Sequence, residues 1–241
     1  MSEHILSISY GKDSLACLGA IEALGWPLDR IVHAEVWATD TIPADLPPIY
    51  GFLTRGCPRA CDFCIVAAKE GRRSVKVADL HEFWRGQKNI VLMDPNILAC
   101  REHTDLLRQL IDSGAYVDFN QGLDIRMTTP ENIALLNQVK VKNIHFAWDR
   151  PTDDLKPYFE RYKEHATHKI HGKWGTVYIL TNHGSTIEQD LHRIYTVRDM
   201  GFNPYVMVYD KPNAPAIIKR LQRWVNNKKI FGLCRKFEDY Q

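Results

Sequence analysis

The sequence predicts an α/β protein whose main body, residues 49–241, is a partial (β/α)6 barrel behind a short βαβ segment, residues 1–48. Two observations predict the barrel. First, apolar strand-like runs recur at 49–54 (IYGFLT), 89–94 (NIVLMD), 116–121 (YVDFNQ), 143–148 (NIHFAW), 175–181 (GTVYILT) and 203–209 (NPYVMVY). Helical patterns separate them, and strands alternating with helices at intervals of about thirty residues indicate parallel βα units. Second, three cysteines come directly after the first run, at the edge where the βα loops of such folds build active sites.

Taken in order, residues 4–8 (HILSI) read as a strand, SYGKDS as a loop, LACLGAIEALG as an apolar helix stopped by Gly25, and residues 31–37 (IVHAEVW) as a second strand. The loop sets Gly11, Lys12 and a hydroxyl at a helix start, where backbone N–H groups and the positive end of the helix dipole favour phosphate. A segment of 48 residues is too short to bury a core alone, so it is expected to dock on the main body. The stretch TDTIPADLPP, residues 39–48, is the expected join. In the main body, VADLHEFWRG and TDLLRQLIDSG read as helices, the second stopped by Gly114. TPENIALLNQV offers Thr129 as N-cap with Pro130 in the first turn. Asp153 to His165 is a more polar helical pattern, and STIEQDLHRIYTVRDMG carries a capping box of Ser185 with Glu188. APAIIKRLQRWVNN closes the series.

The chemistry concentrates in residues 51–66, GFLTRGCPRACDFCIV, with Cys57, Cys61 and Cys64 spaced C-x3-C-x2-C. Soft thiolates select iron–sulfur clusters, zinc or Cu(I). Structural zinc sites bring paired ligand groups, and here Cys17, Cys100 and Cys234 stand alone. A disulfide framework does not fit six cysteines in 241 residues behind an N-terminus, MSEHILSISYGKDS, that is not a secretory signal. Three cysteines leave a cluster with one iron open to another ligand. Free thiols and an oxygen-sensitive cluster imply a reducing, cytoplasmic setting. No apolar run has membrane-spanning length. A net charge of +2 does not indicate nucleic acid, and Lys69, Arg72, Arg73 and Lys76 read as a solvated loop.

The cysteine spacing, with Phe63 just before the third cysteine and the flanking RGCPRACDFC, resembles the radical S-adenosylmethionine (SAM) superfamily over residues 49–241. The flanks look most like the branch of cobalamin-dependent enzymes and methylthiotransferases. The resemblance implies an open (β/α)6 barrel in which Cys57, Cys61 and Cys64 hold a [4Fe-4S] cluster and SAM binds the fourth iron. It implies that Phe63 packs beside the cluster and the adenine of SAM. It further implies that an electron from a reductase or a flavodoxin- or ferredoxin-type donor cleaves SAM to methionine and a 5'-deoxyadenosyl radical, which takes hydrogen from a substrate. The sequence does not name that substrate. Neither the cobalamin-binding domain nor the extra cysteine cluster of that branch has a counterpart among these residues, so the reaction stays open. SYGKDS separately resembles the pyrophosphate-binding loop of the ATP pyrophosphatase and phosphoadenosine-phosphosulfate (PAPS) reductase superfamily, in which Ser9, Gly11, Lys12, Asp13 and Ser14 would cradle phosphate. That resemblance ends near Pro48, before the strands the family needs, so a structural βαβ cap is the simpler expectation.

The ends of the remaining strands supply further candidates. Asp94 and Asn96 in MDPN come after the second run, where many radical SAM enzymes meet the amino group of SAM with a Gly-Gly-Glu-type segment; a helix-starting turn is the alternative. Asn120, Gln121, Asp124 and Arg126 in NQGLDIR come after the third. Contact with SAM or substrate competes there with a structural Asp124–Arg126 ion pair, a guanidinium being suited to a bidentate carboxylate. Trp148, Asp149 and Arg150, then Thr181, Asn182 and His183, then Tyr209, Asp210 and Lys211 end the last three runs and are open candidates. Two other classes compete: a nucleotide or sulfur-transfer protein led by the N-terminal loop, and a non-catalytic iron–sulfur fusion protein.

Overall fold

The structure is a computed structural model that describes residues 5–7, 30–32 and 47–240. Two compact units divide between Pro43 and Ala44. In the first, β1 (Ile5–Ser7) and β2 (Arg30–Val32) pair in parallel, Ile5 opposite Arg30. The phosphate-loop candidates Ser9, Gly11, Lys12, Asp13 and Ser14 lie outside the described residues, as does Cys17.

The second unit is built on a six-stranded sheet of β3 (Ile49–Gly51), β6 (Asn89–Leu92), β7 (Tyr116–Leu123), β8 (Lys140–Ala147), β9 (Gly172–Thr181) and β10 (Phe202–Val208). Every neighbouring pair is parallel, and the strands lie side by side in chain order. Right-handed crossovers that always step the same way put their helices on one face of the sheet. The burial pattern agrees with that placement. Alternate residues Ile90 and Leu92, Val117 and Phe119, Ile144 and Phe146, Val177 and Ile179 are buried in one core.

The helices supply the other half of that core. They are α3 (His103–Ser113), α4 (Pro130–Leu136), α5 (Lys156–His165), α6 (Ile187–Asp199), α7 (Ala216–Asn226) and α8 (Lys228–Leu233). Leu106, Leu110, Ile133, Phe159, Ile194 and Trp224 are fully buried. Gly114 ends α3 with φ of 61° and Thr129 caps α4, as the sequence predicts. The opposite face of the sheet alternates to polar and aromatic side chains. There Asn143 donates to Asp118 at 2.7 Å, His145 stacks on Tyr178 with centroids 5.3 Å apart, and Tyr178 meets Tyr205 edge-on.

Local differences from the sequence reading have physical causes. The first strand leaves the sheet at Gly51, because the N–H groups of Leu53 and Thr54 donate to the Asp94 carboxylate instead of a neighbouring strand. Thr54–Arg55 (β4) then pairs antiparallel with Val75–Lys76 (β5). The helix expected in VADLHEFWRG is a single turn, α2 (Leu80–Phe83), with a smaller turn, α1 (Val66–Lys69), before it. The capping box of α6 is one residue later than expected: Thr186, not Ser185, accepts from the N–H of Gln189, and the Gln189 side chain accepts from Thr186. That register brings Asp190 and Arg193 to the buried side together with Ile194 and Val197. Among the described residues no helix is long and apolar enough to cross a membrane.

Candidate functional site

The cysteine loop is bracketed by the β4–β5 ribbon, which holds its two ends together. Glu70 braces it from within. One carboxylate oxygen pairs with Arg55 at 3.1 Å, and the other accepts from the Gly56 N–H at 3.1 Å. The Cys57 N–H donates to the Gly71 carbonyl at 3.2 Å. Gly56 has φ of +85°, and a Cβ there would stand 2.1 Å from the Arg73 carbonyl oxygen, so the turn into Cys57 requires glycine. Ala60 is left-handed with φ of 46°, within the span between Cys57 and Cys61. The Cys64 N–H closes a turn on the Cys61 carbonyl at 3.0 Å. All three cysteines are free and half-buried.

These thiols line a cavity of about 440 Å³ over the C-terminal ends of the strands. Phe63 lines it beside them, and so does Asn96 from the loop after β6. Asn96 is 2% exposed. Its Nδ2 lies 3.8 Å from the Cys57 Sγ and 3.8 Å from the Met127 Sδ, while its Oδ1 is buried without a hydrogen-bond partner. A buried amide oxygen left unmatched costs free energy unless a donor reaches it. Among the described residues, no three His, Cys, Asp or Glu side chains converge as a set for a single metal ion.

The other predicted residues divide by geometry. Asp124 and Arg126 line the cavity, but they are bound to each other: Arg126 Nε donates to Asp124 at 2.8 Å. The far end of the Arg126 guanidinium donates to Asp153 at 2.9 Å. The structural ion pair weighed from the sequence is therefore present and wider than expected, with Arg59 of the cysteine loop also bound to Asp124. Gln121 lines the cavity, while Asn120 one residue earlier offers its carbonyl to the Tyr178 hydroxyl at 3.3 Å. Asp94 is not at the cavity wall. Its carboxylate accepts from Thr54 N–H at 2.5 Å, Thr54 Oγ1 at 2.7 Å and Leu53 N–H at 3.2 Å, so it fastens the start of the cysteine loop to the end of β6. Burial pushes this carboxyl up to about 6, against the pull of those hydrogen bonds.

Three wall residues had no specific assignment in the sequence reading: Arg59, Asp149 and Asp153. With Arg126, Arg150 and Asp124 they give the wall three guanidinium and three carboxylate groups. Burial lifts Asp149 to about 6, opposed by the charges of Arg193 and Arg126. Burial and the nearby Asp149 charge push the Cys61 thiol up. The far side of the cysteine loop docks on the last strand ends. His183 Nε2 is 3.3 Å from Asp62, Phe63 meets the His183 ring edge-on at 5.4 Å, and His183 rests on Tyr209 at 4.6 Å. Asn182, held left-handed with φ of 62°, donates to the Tyr209 carbonyl at 2.8 Å and sets that arrangement. The signal for Asp149, Arg150 and His183 was their position just past a strand end; Asp153 and Arg59 carry no such signal. Comparison with known proteins finds no matching family model and no matching curated protein.

Proposed function

We propose that the chain is a radical SAM enzyme with its site in the cavity above the sheet. The observation that carries this reading is the placing of Cys57, Cys61 and Cys64 on one braced loop, lining one cavity with a buried, unpartnered amide oxygen. Residues and group fit. Three thiolates are the donor set of a [4Fe-4S] cluster with one iron left open, and a cubane spreads its sulfur ligands more widely than a mononuclear ion would. Bound there with SAM, the cluster would supply one-electron cleavage of SAM to methionine and a 5'-deoxyadenosyl radical, the electron coming from an external reductase or a flavodoxin- or ferredoxin-type donor. Strands in chain order, without the reversal that gives doubly wound sheets their crevice, also suit an open (β/α)6 barrel.

The chain's own residues take defined parts in this reading. Cys57, Cys61 and Cys64, which line the cavity together, would hold the iron. Asn96 donates toward the Cys57 sulfur, a contact of the kind that tunes cluster potential, and its free Oδ1 would accept from an ammonium or hydroxyl of SAM. The wall of paired arginines and aspartates suits a zwitterion, which brings one charge of each sign. Arg126 is fixed by Asp124 and Asp153 and positions that wall, while Arg59 and Arg150 are the more exposed cations beside it. Phe63 and Asp149 both line the cavity, Asp149 with its carboxyl raised by burial.

The test is anaerobic. The protein is reconstituted with iron and sulfide, given SAM and dithionite, and assayed for 5'-deoxyadenosine beside a Cys61→Ala control. Product from the wild type alone supports the reading. A full cluster in every chain with no product removes it.

A further inference from the structure

The last strand borders a second cavity, of about 970 Å³, outside the site described above. Five cations line it: Lys211, Lys219, Arg223, Lys228 and Lys229. The rest of its wall is Tyr205 and the amides Gln222, Asn226 and Asn227, with no carboxylate. The sequence explains the imbalance. Between Asp210 and Glu238 no acidic residue occurs, and eight residues are Lys or Arg, against a whole-chain net charge of +2. None of the five wall cations is ion-paired with a carboxylate among the described residues. Burial pulls Lys228 down to about 8, the response of an ammonium without a counter-charge.

The edge strand in this groove is closed to an added peptide strand. Asn226 accepts from the Val206 N–H at 2.8 Å and donates to its carbonyl at 3.0 Å. Lys228 takes the Pro204 carbonyl at 2.7 Å, and Pro204 has no N–H to offer. These are the outward-facing groups a β-addition would need. What the groove leaves available is charge and rings. Tyr205 is 37% exposed within it. Two residues before Lys211, the 43%-exposed Tyr209 begins a row of rings, Tyr209, His183 and Phe63, that ends at the wall of the cysteine cavity.

We infer that this groove binds a single-stranded nucleic acid, phosphates on the lysines and Arg223, with unpaired bases stacking along Tyr209 and His183 toward Phe63. Cationic grooves interleaved with aromatic rings hold single strands because every base presents a stacking face. Binding in the groove is independent of the cluster. That the strand carries the group acted on in the cysteine cavity rests on the function proposed above.

The experiment uses the full chain and fluorescein-labelled 20-nucleotide single strands of DNA and RNA, with anisotropy read across a potassium chloride series. Each phosphate neutralised on a single strand adds about 0.7 to the slope of log affinity against log salt, so Lys211→Ala/Arg223→Ala/Lys229→Ala should lower that slope by about 2. A control of equal charge loss on other exposed lysines, Lys88→Ala/Lys140→Ala/Lys163→Ala, should leave the slope unchanged. Tyr209→Ala should weaken binding about tenfold through lost stacking. Circular dichroism on each variant checks that the fold persists. The inference is overturned by no binding at low salt, by equal losses in the control triple, by duplex binding as tight as single-strand binding with Tyr209→Ala silent, or by equal displacement with poly-glutamate. Binding retained in a Cys61→Ala chain separates this outcome from that of the deoxyadenosine assay.

Discussion

Arg193 offers the most quantitative handle on how the site is supported. It is 1% exposed on α6 and makes a set of bonds no other side chain can replace. One guanidinium nitrogen donates to the carbonyls of Trp148 and Asp149 at 2.6 and 2.7 Å; the other donates to the Leu180 carbonyl at 2.9 Å and to Asp190 at 2.5 Å. The guanidinium thus ties the ends of β8 and β9 to α6, directly beneath Asp149 and the turn that carries His183. Replacing it with methionine keeps most of the volume but strands three carbonyls and a buried carboxylate. Breaking a buried pair on one side costs about 3–5 kcal/mol. With a urea m-value of about 2–3 kcal/mol/M for a unit of this size, Arg193→Met should lower the denaturation midpoint by about 1.5 M. The sign with pH is set by Asp190, whose carboxyl is already raised by burial despite Arg193. Without the arginine it rises further, so the ionised form penalises the fold above that value and protonation relieves it below. The loss should therefore shrink as the pH falls, and Arg193→Met/Asp190→Leu should recover stability over the single variant. A midpoint shift under about 0.4 M, or a double variant no better than the single, would refute the clamp.

Two further perturbations address the cysteine loop. Gly56→Ala places a methyl group against the Arg73 carbonyl in a left-handed turn, which costs an alanine about 1–2 kcal/mol before the clash is counted. Iron bound per chain after reconstitution should fall sharply while the far-ultraviolet circular dichroism stays that of the wild type; full iron loading would mean the turn does not set the loop. Asp94 is 5% exposed with its carboxyl held near 6 rather than its ordinary 3.8, so its ionised form weighs against the fold by about 3 kcal/mol at neutral pH. That cost is absent below 3.8 and complete above about 6. Relative to wild type, Asp94→Asn should therefore gain about 3 kcal/mol in unfolding free energy between pH 4 and pH 7, and parallel pH profiles would contradict the assignment.

Most of the architecture was legible because its signals are local and periodic. The alternation of Val117, Phe119, Ile144 and Phe146 with polar residues marks strands with one buried face, and Gly114 and the Thr129–Pro130 pair mark helix ends by their own conformational preferences. What failed to show depends on partners far away in the chain. Nothing near Leu53 says that its N–H will be claimed by a carboxylate forty-one residues later, yet that bond ends β3 and starts the cysteine loop. Ser185–Glu188 and Thr186–Gln189 are equally good capping boxes as text. The choice between them falls to the buried side of α6, where Asp190 must meet Arg193.

The site divides along the same line. Cys57, Cys61, Cys64 and Phe63 line one cavity from one loop, a grouping that their close spacing in the chain already displays. For Arg126 the sequence offers ligand contact or a pair with Asp124, and the structure gives it that pair and a second carboxylate, Asp153, twenty-seven residues on. Each charge so consumed is one fewer for a ligand: Arg59 is also bound to Asp124 and Arg150 stands 3.8 Å from Asp62, so the wall group left unmatched is the Asn96 oxygen. The cationic groove was hidden for a different reason. A whole-chain charge of +2 averages a strongly positive C-terminal interval against an acidic remainder, and only the packing of α7 and α8 along β10 gathers that interval into one surface. Net charge bounds what a chain does at long range, but a ligand within a Debye length of about 8–10 Å meets the local arrangement.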